Sequence, residues 1–278
     1  MCIRDRDNEV QIKSGKSEFN LRTLPSDDFP RFEEPGGNKA TIDTKSLSTA
    51  FEQVVKAAST DDARPILTGV LLSAEEDGLR LVATDSYRMA IRDIPGTEIL
   101  GRDEIVLVPS RALDVVKRVL DNDDELEITL GEKEAVFKIQ NVDIVTRLIE
   151  GEFPNYKGLI PDKNKNKLVI NREELLAALQ RVKLLARETT PIRLIMSDKK
   201  IELLAIEQDI GQATEKIDGN YSGEEITVAF NPDYLIDGLD VMNTEEICLE
   251  TTDALKPAIL KGVDEDSFLY LLMPVRVS

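Results

Sequence analysis

The sequence predicts an α+β fold of repeated domains, each made of two strand–helix–three-strand units with antiparallel sheets. The first observation is an internal repeat: stretches beginning at Asn38 and Asn166 align without a gap at an offset of 128 residues. The second is hydrophobic periodicity, which changes from that of a strand to that of a helix and back within each copy. Together they predict two copies of one domain, over residues 38–159 and 160–278.

The two copies open with the same pair of elements. The first begins NKATIDTKSLSTAFEQVVKAAS and the second begins NKLVINREELLAALQRVKLLAR. In the first copy, Leu47, Phe51 and Val54 recur at the i, i+4 and i+7 spacing of one buried helix face. Each stretch therefore predicts a short strand followed by an amphipathic helix.

The later elements repeat as well. GVLLSAEEDGLRLVATD and IRLIMSDKKIELLAIEQ each predict two strands around a turn. IVLVPSRALDVVKRVL and ITVAFNPDYLIDGLDV each predict a strand, a proline near the first helical turn and a short helix. LEITL and AVFKI predict another hairpin around a GEKE turn.

Residues 8–37 are predicted to be the remnant of a preceding copy, because LRTLPSDDFPRF matches VTRLIEGEFPNY at an offset of 124 residues. The coinciding pairs are Leu24/Leu148, Phe29/Phe153 and Pro30/Pro154. We expect these leftover strands to be mobile or mispacked. MCIRDR has no counterpart in the repeat, so we interpret residues 1–7 as a non-native start, such as translated adaptor sequence, and exclude them from the fold.

Composition narrows the function classes. The net charge is −18, whereas a protein that holds nucleic acid by surface attraction should be basic, so only weak, local or topological DNA contact fits. Histidine is absent, which removes histidine-based triads and metal sites. No phosphate-binding GxxxxGK[ST] loop occurs, and no pair stands out among the 53 acidic residues. We expect no catalytic residues, no metal and no cofactor.

Targeting signals are not visible in the sequence. No apolar run approaches the ~18 residues of a membrane span, and the start has no apolar signal region. Cys2 and Cys248 occupy unrelated positions. A disulfide between them is one alternative, and a reducing cytoplasm is the simpler interpretation.

Three short motifs, ATDSYRMA, EFPNYKGLIP and LLMPVR, carry a resemblance to a known family. From about residue 8 to its end, the chain resembles the bacterial β sliding clamp, the processivity subunit of DNA polymerase III. TDSYRMA, from Thr84 to Ala90, is similar to the T-D-x-x-R-L-A stretch of that family's middle domain. EFPNY resembles the junction of the middle and last domains, and MPVR resembles the terminal motif.

The resemblance implies the DNA-clamp fold, with antiparallel sheets outside and helices facing a central hole. It makes residues 8–37 a remnant of clamp domain 1, 38–159 the middle domain and 160–278 the C-terminal domain. It also implies a homodimer ring that encircles double-stranded DNA without sequence preference and serves DNA replication as a non-enzymatic processivity factor. We expect that this chain, without most of the first domain, does not close the ring.

The resemblance further implies a hydrophobic groove for short peptides of the Gln-x-x-Leu-Phe kind, carried by the polymerase III alpha subunit, the clamp loader and repair proteins. The matching positions are Leu67, Thr84, Ser86, Tyr87, Arg88, Met89, Pro154, Leu159, Leu255, Pro257, Leu271, Leu272, Met273, Pro274, Val275 and Arg276. Phe153 and Tyr156 are interpreted as packing residues. Gly158 stands where the family carries a longer, often basic side chain, and we expect this difference to weaken one wall.

The helices that would line the hole can be judged by their charge. Segments 45–56, 109–120 and 172–187 have net charges of +1, +2 and +2, whereas 232–241 has −3 through Asp233, Asp237 and Asp240. The predicted DNA-facing residues are Lys45, Lys56, Arg111, Lys117, Arg118, Arg172, Arg181, Lys183 and Arg187. Ordinary solvated helix faces explain any single cation equally well.

Two alternatives to the sliding clamp stay open. A peptide-binding scaffold that never encircles DNA fits the acidic charge, and retention on circular but not linear DNA separates it from a clamp. An enzyme using paired carboxylates is the third hypothesis, and a metal-dependent hydrolysis screen tests it.

Overall fold

A computed structural model describes residues 1–6, 8–28, 36–101, 104–120, 125–161, 163–186, 190–198 and 200–276. The chain divides into two compact units, Met1–Glu34 and Pro35–Ser278. Among the described residues, none of the helices combines the length and apolar character that crossing a membrane requires.

The first unit is a three-stranded antiparallel sheet in the order β1-β2-β3. Its strands are β1 (Cys2–Arg6), β2 (Glu9–Ser14) and β3 (Ser17–Arg22). Ile3 pairs with Ile12, which pairs with Phe19, so apolar side chains share one face. Cys2–Arg6 is thus a strand of this sheet although the sequence analysis leaves it out of the fold, and the interpretation of residues 1–7 as a non-native start stays a prediction. Phe29 and Pro30 of the repeat lie outside the described residues, and the predicted mobility of this unit stays a prediction.

The second unit contains two copies of the repeat, each with two strand–helix–three-strand units as predicted, and the second copy has one additional short strand, β16. The first copy comprises β4 (Asn38–Ile42), α1 (Thr44–Val55), β5 (Gly69–Glu75), β6 (Gly78–Thr84), β7 (Arg88–Pro95), β8 (Ile105–Pro109), α2 (Ser110–Val119), β9 (Leu126–Leu130), β10 (Glu134–Ile139) and β11 (Val142–Arg147). The second comprises β12 (Asn166–Asn171), α3 (Arg172–Lys183), β13 (Ile192–Ser197), β14 (Lys200–Glu207), β15 (Gly211–Ile217), β16 (Asn220–Ser222), β17 (Ile226–Phe230), α4 (Pro232–Asp240), β18 (Glu246–Thr251), β19 (Ala258–Gly262) and β20 (Phe268–Leu272).

The described strands of the second unit form three sheets, and one of them runs through both copies. Two four-stranded sheets have the orders β11-β10-β9-β4 and β15-β14-β13-β17. The third has nine strands in the order β16-β12-β18-β19-β20-β7-β6-β5-β8. Its central pair, β20 with β7, is antiparallel and joins the last strand of the second copy to the first copy. We call this pairing the seam.

The four helices of the described residues form two packed pairs that meet end to end, in the order α2-α1-α4-α3. α1 packs against α2 and α3 packs against α4. The C-terminal ends of α1 and α4 meet where the buried Gln53 amide donates to the Val241 carbonyl at 3.3 Å. We call α1–α4 the helix layer. It packs on the sheets over a common core, which includes Phe51, Phe230 and Tyr270.

Local sequence determines where these helices begin and end. Asp43 and Asn171 accept hydrogen bonds from backbone N–H groups in the first turns of α1 and α3. Asn231 does the same for α4, which has Pro232 at its first position. α3 ends at Lys183, four residues before the predicted end, because the N–H groups that follow bond three residues back and tighten the chain.

Candidate functional site

The C-terminal segment is held at the seam by backbone hydrogen bonds. In the β7–β20 register, Leu272 pairs with Arg88 and Leu271 pairs with Met89. Beyond β20, the Met273 N–H donates to the Tyr87 carbonyl and the Val275 N–H donates to the Ala229 carbonyl, both at 2.8 Å. The apolar end of the chain is therefore part of the folded surface, bound first to one copy and then to the other.

The turn before β7 is shaped by the side chains of TDSYRMA. Asp85 accepts hydrogen bonds from the N–H groups of Tyr87 and Arg88 at 2.9 and 3.0 Å. The Thr84 hydroxyl donates to the Arg88 carbonyl at 2.7 Å. Ser86 has a φ of 81°, in the left-handed region that short turns use. This tight turn presents Tyr87 to solvent and Arg88 to the seam.

Arg88 is the electrostatic centre of the seam. Its side chain is 11% exposed and pairs with Asp85 at 3.0 Å and with Asp237 of α4 at 2.5 Å. It also donates to the Tyr270 hydroxyl at 3.3 Å and lies 4.4 Å from the ring centre of Tyr234. Burial opposes the charge, but the phenol and the two carboxylates outweigh it and raise the Arg88 pKa, so the guanidinium stays protonated.

Four of the predicted groove residues expose apolar surface: Tyr87, Leu159, Leu255 and Met273. Leu255 lies on the loop between β18 and β19, where the Asp253 carboxylate accepts from the backbone N–H groups of Leu255 and Lys256. The first of these bonds is the main cause of the lowered Asp253 pKa. Because Ala258 pairs with Leu272, this loop adjoins the end of β20. The exposed Met273 and Leu255 therefore belong to neighbouring segments.

The linker after β11 supplies another part of this surface. Tyr156 is buried and Phe153 packs edge-on against it, with ring centres 6.3 Å apart, which confirms their interpretation as packing residues. Their cluster includes Met89 and Leu271 from the seam. Pro154 and Leu159 lie on either side of Tyr156 in the same linker and are exposed.

Several predicted groove residues contribute from below the surface. Thr84, Leu67, Met89 and Leu271 are buried, and Thr84 acts through its hydrogen bond in the turn. The structure corrects the prediction that Leu272 lines the groove. Its side chain points to the opposite side of the sheet and is 1% exposed in the core under the helices. Alternation along β20 requires this, because Leu271 faces the other way. Arg88 differs as well, since its guanidinium is already paired within the seam.

The remaining predicted groove residues are partly or fully accessible. Ser86 and Arg276 are exposed, and Pro257, Pro274 and Val275 are half-buried. A Cβ added at Gly158 would meet no atom within 4 Å, and the expected weakening of one groove wall stays a prediction.

Sequence reasoning missed Arg64 and Asp237. Arg64, before the short 3-10 helix Pro65–Thr68, donates to the Ser86 hydroxyl at 3.4 Å and to Asp61 at 3.1 Å. It therefore places an exposed cation beside the turn that carries Tyr87. Asp237 was assigned only to the acidic helix, and nothing in the linear sequence connects it with Arg88, 149 residues away.

Eight of the predicted DNA-facing cations are among the described residues and lie in or next to the helix layer, and seven of these eight form ion pairs. Three pairs cross helix boundaries: Lys117–Glu52, Lys56–Asp240 and Lys183–Asp233. Other pairs are Arg118–Asp114, Arg111–Asp62 and Arg181–Glu215. Lys45 is exposed on the first turn of α1. The acidic α4 is thus neutralised by lysines of its neighbours, which accounts for its departure from the charge of the other helices.

Two of the nine predicted cations differ from the rest. Arg172 is largely buried, and its guanidinium donates to the Leu239 carbonyl at 3.4 Å near the end of α4. Its position indicates a structural role at the α3–α4 contact instead of an outward-facing one. Arg187 lies outside the described residues.

Comparison with known proteins agrees with this architecture. The protein-family model for the central domain of the DNA polymerase III beta subunit matches residues 41–155, and the family model for its C-terminal domain matches residues 157–276. The beta sliding clamp of Bacillus subtilis (strain 168) is 35% identical over 275 residues, covering 95% of this chain and 72% of that protein. That of Staphylococcus aureus (strain Mu50) is 34% identical over 273 residues, covering 96% and 72%.

Solved structures show the same likeness. The crystal structure of the DNA polymerase sliding clamp from Bacillus subtilis superposes with a TM-score of 0.91 at 32% identity, covering 99% of this chain and 74% of that one. A DnaN sliding clamp from Pseudomonas aeruginosa, bound to griselimycin, gives 0.90 at 29% identity, covering 99% and 75%.

The repeated copies, the shared sheet and the single helix layer define a DNA-clamp protein, a non-catalytic class of replication factor. The chain belongs to the bacterial DNA polymerase III beta sliding clamp family.

Proposed function

We propose that this protein encircles double-stranded DNA without sequence preference and confers processivity on the replicative polymerase in the cytoplasm. In this role the helix layer faces the DNA, and the chain contributes no catalytic residues. Residues 38–159 and 160–278 act as the middle and C-terminal clamp domains, in agreement with family matches that meet between residues 155 and 157. The expected failure of this chain to close a homodimer ring stays a prediction.

The same proposal includes a docking groove for peptides of the DNA polymerase III alpha subunit, the clamp loader and other partners. One observation carries it: the apolar terminal segment is held at the seam, with Met273 fixed to Tyr87 and left 37% exposed. The exposed apolar surface of Met273, beside the loop that carries exposed Leu255, suits an apolar peptide side chain. Arg276 and Arg64 supply cations for acidic groups or carbonyls of the peptide.

The groove is tested by titrating a labelled peptide of the Gln-x-x-Leu-Phe kind and following its fluorescence anisotropy. We expect saturable binding on the order of micromolar Kd, about −8 kcal/mol. Met273→Ala should weaken binding about tenfold, because it removes apolar contact at the centre of the groove. Leu184→Ala is the matched control, since Leu184 is an exposed leucine just after α3. Equal affinities for both variants, or no binding by the folded chain, would contradict the proposal.

The second candidate, a peptide-binding scaffold without DNA contact, is favoured by the pairing of the helix-layer cations with carboxylates. The two functions separate in an equilibrium titration of a labelled duplex at low salt. The clamp proposal expects weak binding that is independent of DNA sequence and declines with added salt. A scaffold would bind the peptide and leave the duplex free.

A further inference from the structure

One acidic residue of the helix layer, Asp240, is not explained by helix stability, whereas Asp233 lies in the first turn of α4, where the helix dipole favours a carboxylate. Asp240 is the last residue of α4, where the negative end of the helix dipole disfavours a carboxylate. Asp237 in the same last turn is accounted for by its bond to Arg88. Asp240 instead reaches across to Lys56 of the neighbouring helix, 3.6 Å away. The ion pair of the Asp240 carboxylate is therefore with a neighbouring helix and not within α4.

The pairs at the helix boundaries follow one pattern. Between α2 and α1, Lys117 faces Glu52 at 3.7 Å; between α1 and α4, Lys56 faces Asp240; and between α4 and α3, Lys183 pairs with Asp233. Each of the three helix boundaries thus has one lysine and one carboxylate. All six side chains are partly exposed, so a phosphate group could reach the lysines from solvent.

Exposed pairs of this kind are weak, typically about 0–1 kcal/mol. They add little to stability, but they neutralise the lysines at short range and compete with any phosphate that approaches. DNA affinity depends on the number of phosphates that cations neutralise. A lysine paired with a carboxylate gains less from a phosphate than a free lysine does, because the existing pair must first separate.

We infer that Asp233 and Asp240 are affinity-limiting residues of the DNA-facing surface: by pairing with Lys183 and Lys56, they keep its hold on duplex DNA weak. The inference rests on the proposed function and deepens it, because a ring retained by topology has to move along DNA. Weak, exchangeable contacts permit this movement, whereas a fully cationic lining would resist it.

The test measures the affinity of the chain for a short labelled duplex between 50 and 200 mM salt. Asp240→Asn and Asp233→Asn should each bind more tightly than the parent chain. Each freed lysine should make the slope of log affinity against log salt about 0.9 more negative. The advantage of each variant should therefore grow about 3.5-fold from 200 to 50 mM salt, and that of the double variant about twelvefold.

Two controls separate freed lysines from a general loss of negative charge. Glu174→Gln removes one charge from α3, and the Glu174 carboxylate makes no ion pair among the residues that the structure describes. It should leave the salt slope unchanged. In a Lys56→Gln background, Asp240→Asn should lose its additional effect on the slope, because no lysine remains to be freed.

Each outcome decides the inference. Steeper slopes for both aspartate variants, lost with Lys56→Gln in the case of Asp240, support it. Slopes equal to that of Glu174→Gln, or a gain that persists without Lys56, overturn it and leave the proposed DNA contact intact. If none of these chains binds the duplex at 50 mM salt, the inference fails together with the DNA contact of the proposed function.

Discussion

At the scale of the residue, Arg88 shows how one side chain ties the two repeat copies together. It belongs to β7 of the first copy, while Asp237, Tyr270 and Tyr234 belong to the second. The planar guanidinium reaches two carboxylates and an aromatic face at once, which a lysine ammonium cannot do. Arg88 therefore holds β7 of the first copy against the second copy at the seam.

Arg88→Lys should consequently lower the free energy of unfolding by about 2 kcal/mol, because it leaves a partly buried carboxylate without its partner. Urea denaturation measures this loss. Arg147→Lys is the matched control, since the Arg147 side chain is 90% exposed and its ion pair with Glu134 is long, at 3.9 Å. We expect Arg147→Lys to change the free energy of unfolding by less than about 0.5 kcal/mol. Equal losses for both variants would show that the seam pairs do not stabilise the fold.

Gly158 is the second residue at which a single change is informative. A side chain there enters open space beside Lys157, so Gly158→Arg should leave the fold unchanged and add a cation next to exposed Leu159. Binding of an acidic groove peptide should tighten about threefold at low salt, as expected for a partly exposed ion pair of about 0.6 kcal/mol. Gly158→Glu should have the opposite effect, and anisotropy titration measures both. The same affinity for Arg and Glu would place Gly158 outside the groove.

At the scale of the element, the sequence predicts strands and helices well where periodicity is local. α1 and α2 begin and end within a residue or two of the predicted segments, because caps and apolar spacing act over short distances. The end of α3 was wrong, since nothing in LLAR distinguishes a helix from a tightened turn. β1 was missed because a strand without a repeat partner is recognised only through its pairing with β2.

Helix capping provides the test at this scale. Asn171 accepts a hydrogen bond from the Glu174 N–H at 3.1 Å, so Asn171→Ala should cost about 1 kcal/mol of unfolding free energy. Gln180→Ala, on the exposed face of the same helix, should change it by less than about 0.5 kcal/mol. Thermal or urea unfolding of both variants gives the comparison. A neutral Asn171→Ala would mean that packing alone determines where α3 begins.

Sequence patterns do not predict the nine-stranded sheet. Alternation in β7 and β20 predicts two half-buried strands but does not identify their partners. Their pairing joins residues about 180 positions apart, as in Leu272 with Arg88. For the same reason the predicted site was right about the segments that come together and wrong about Leu272, whose direction depends on the register of the seam.

At the scale of the whole molecule, the distribution of charge reconciles an acidic chain with a DNA-facing role. The net charge is −18, yet each helix boundary carries a lysine–carboxylate pair. The helix layer is therefore close to self-neutralised instead of strongly cationic. Under the proposed function such a surface has little affinity for DNA by itself, and retention comes from the topology of a closed ring.

The central claim is that partner peptides bind at the seam where the two copies share a sheet. Hydrogen–deuterium exchange with and without a saturating Gln-x-x-Leu-Phe peptide tests it most directly. We predict slower exchange in 84–89, 253–257 and 270–276, including the Met273 amide that already donates to Tyr87. β9 and β10 should serve as the unchanged reference. Protection confined to other segments, or none under saturating peptide, would contradict the account.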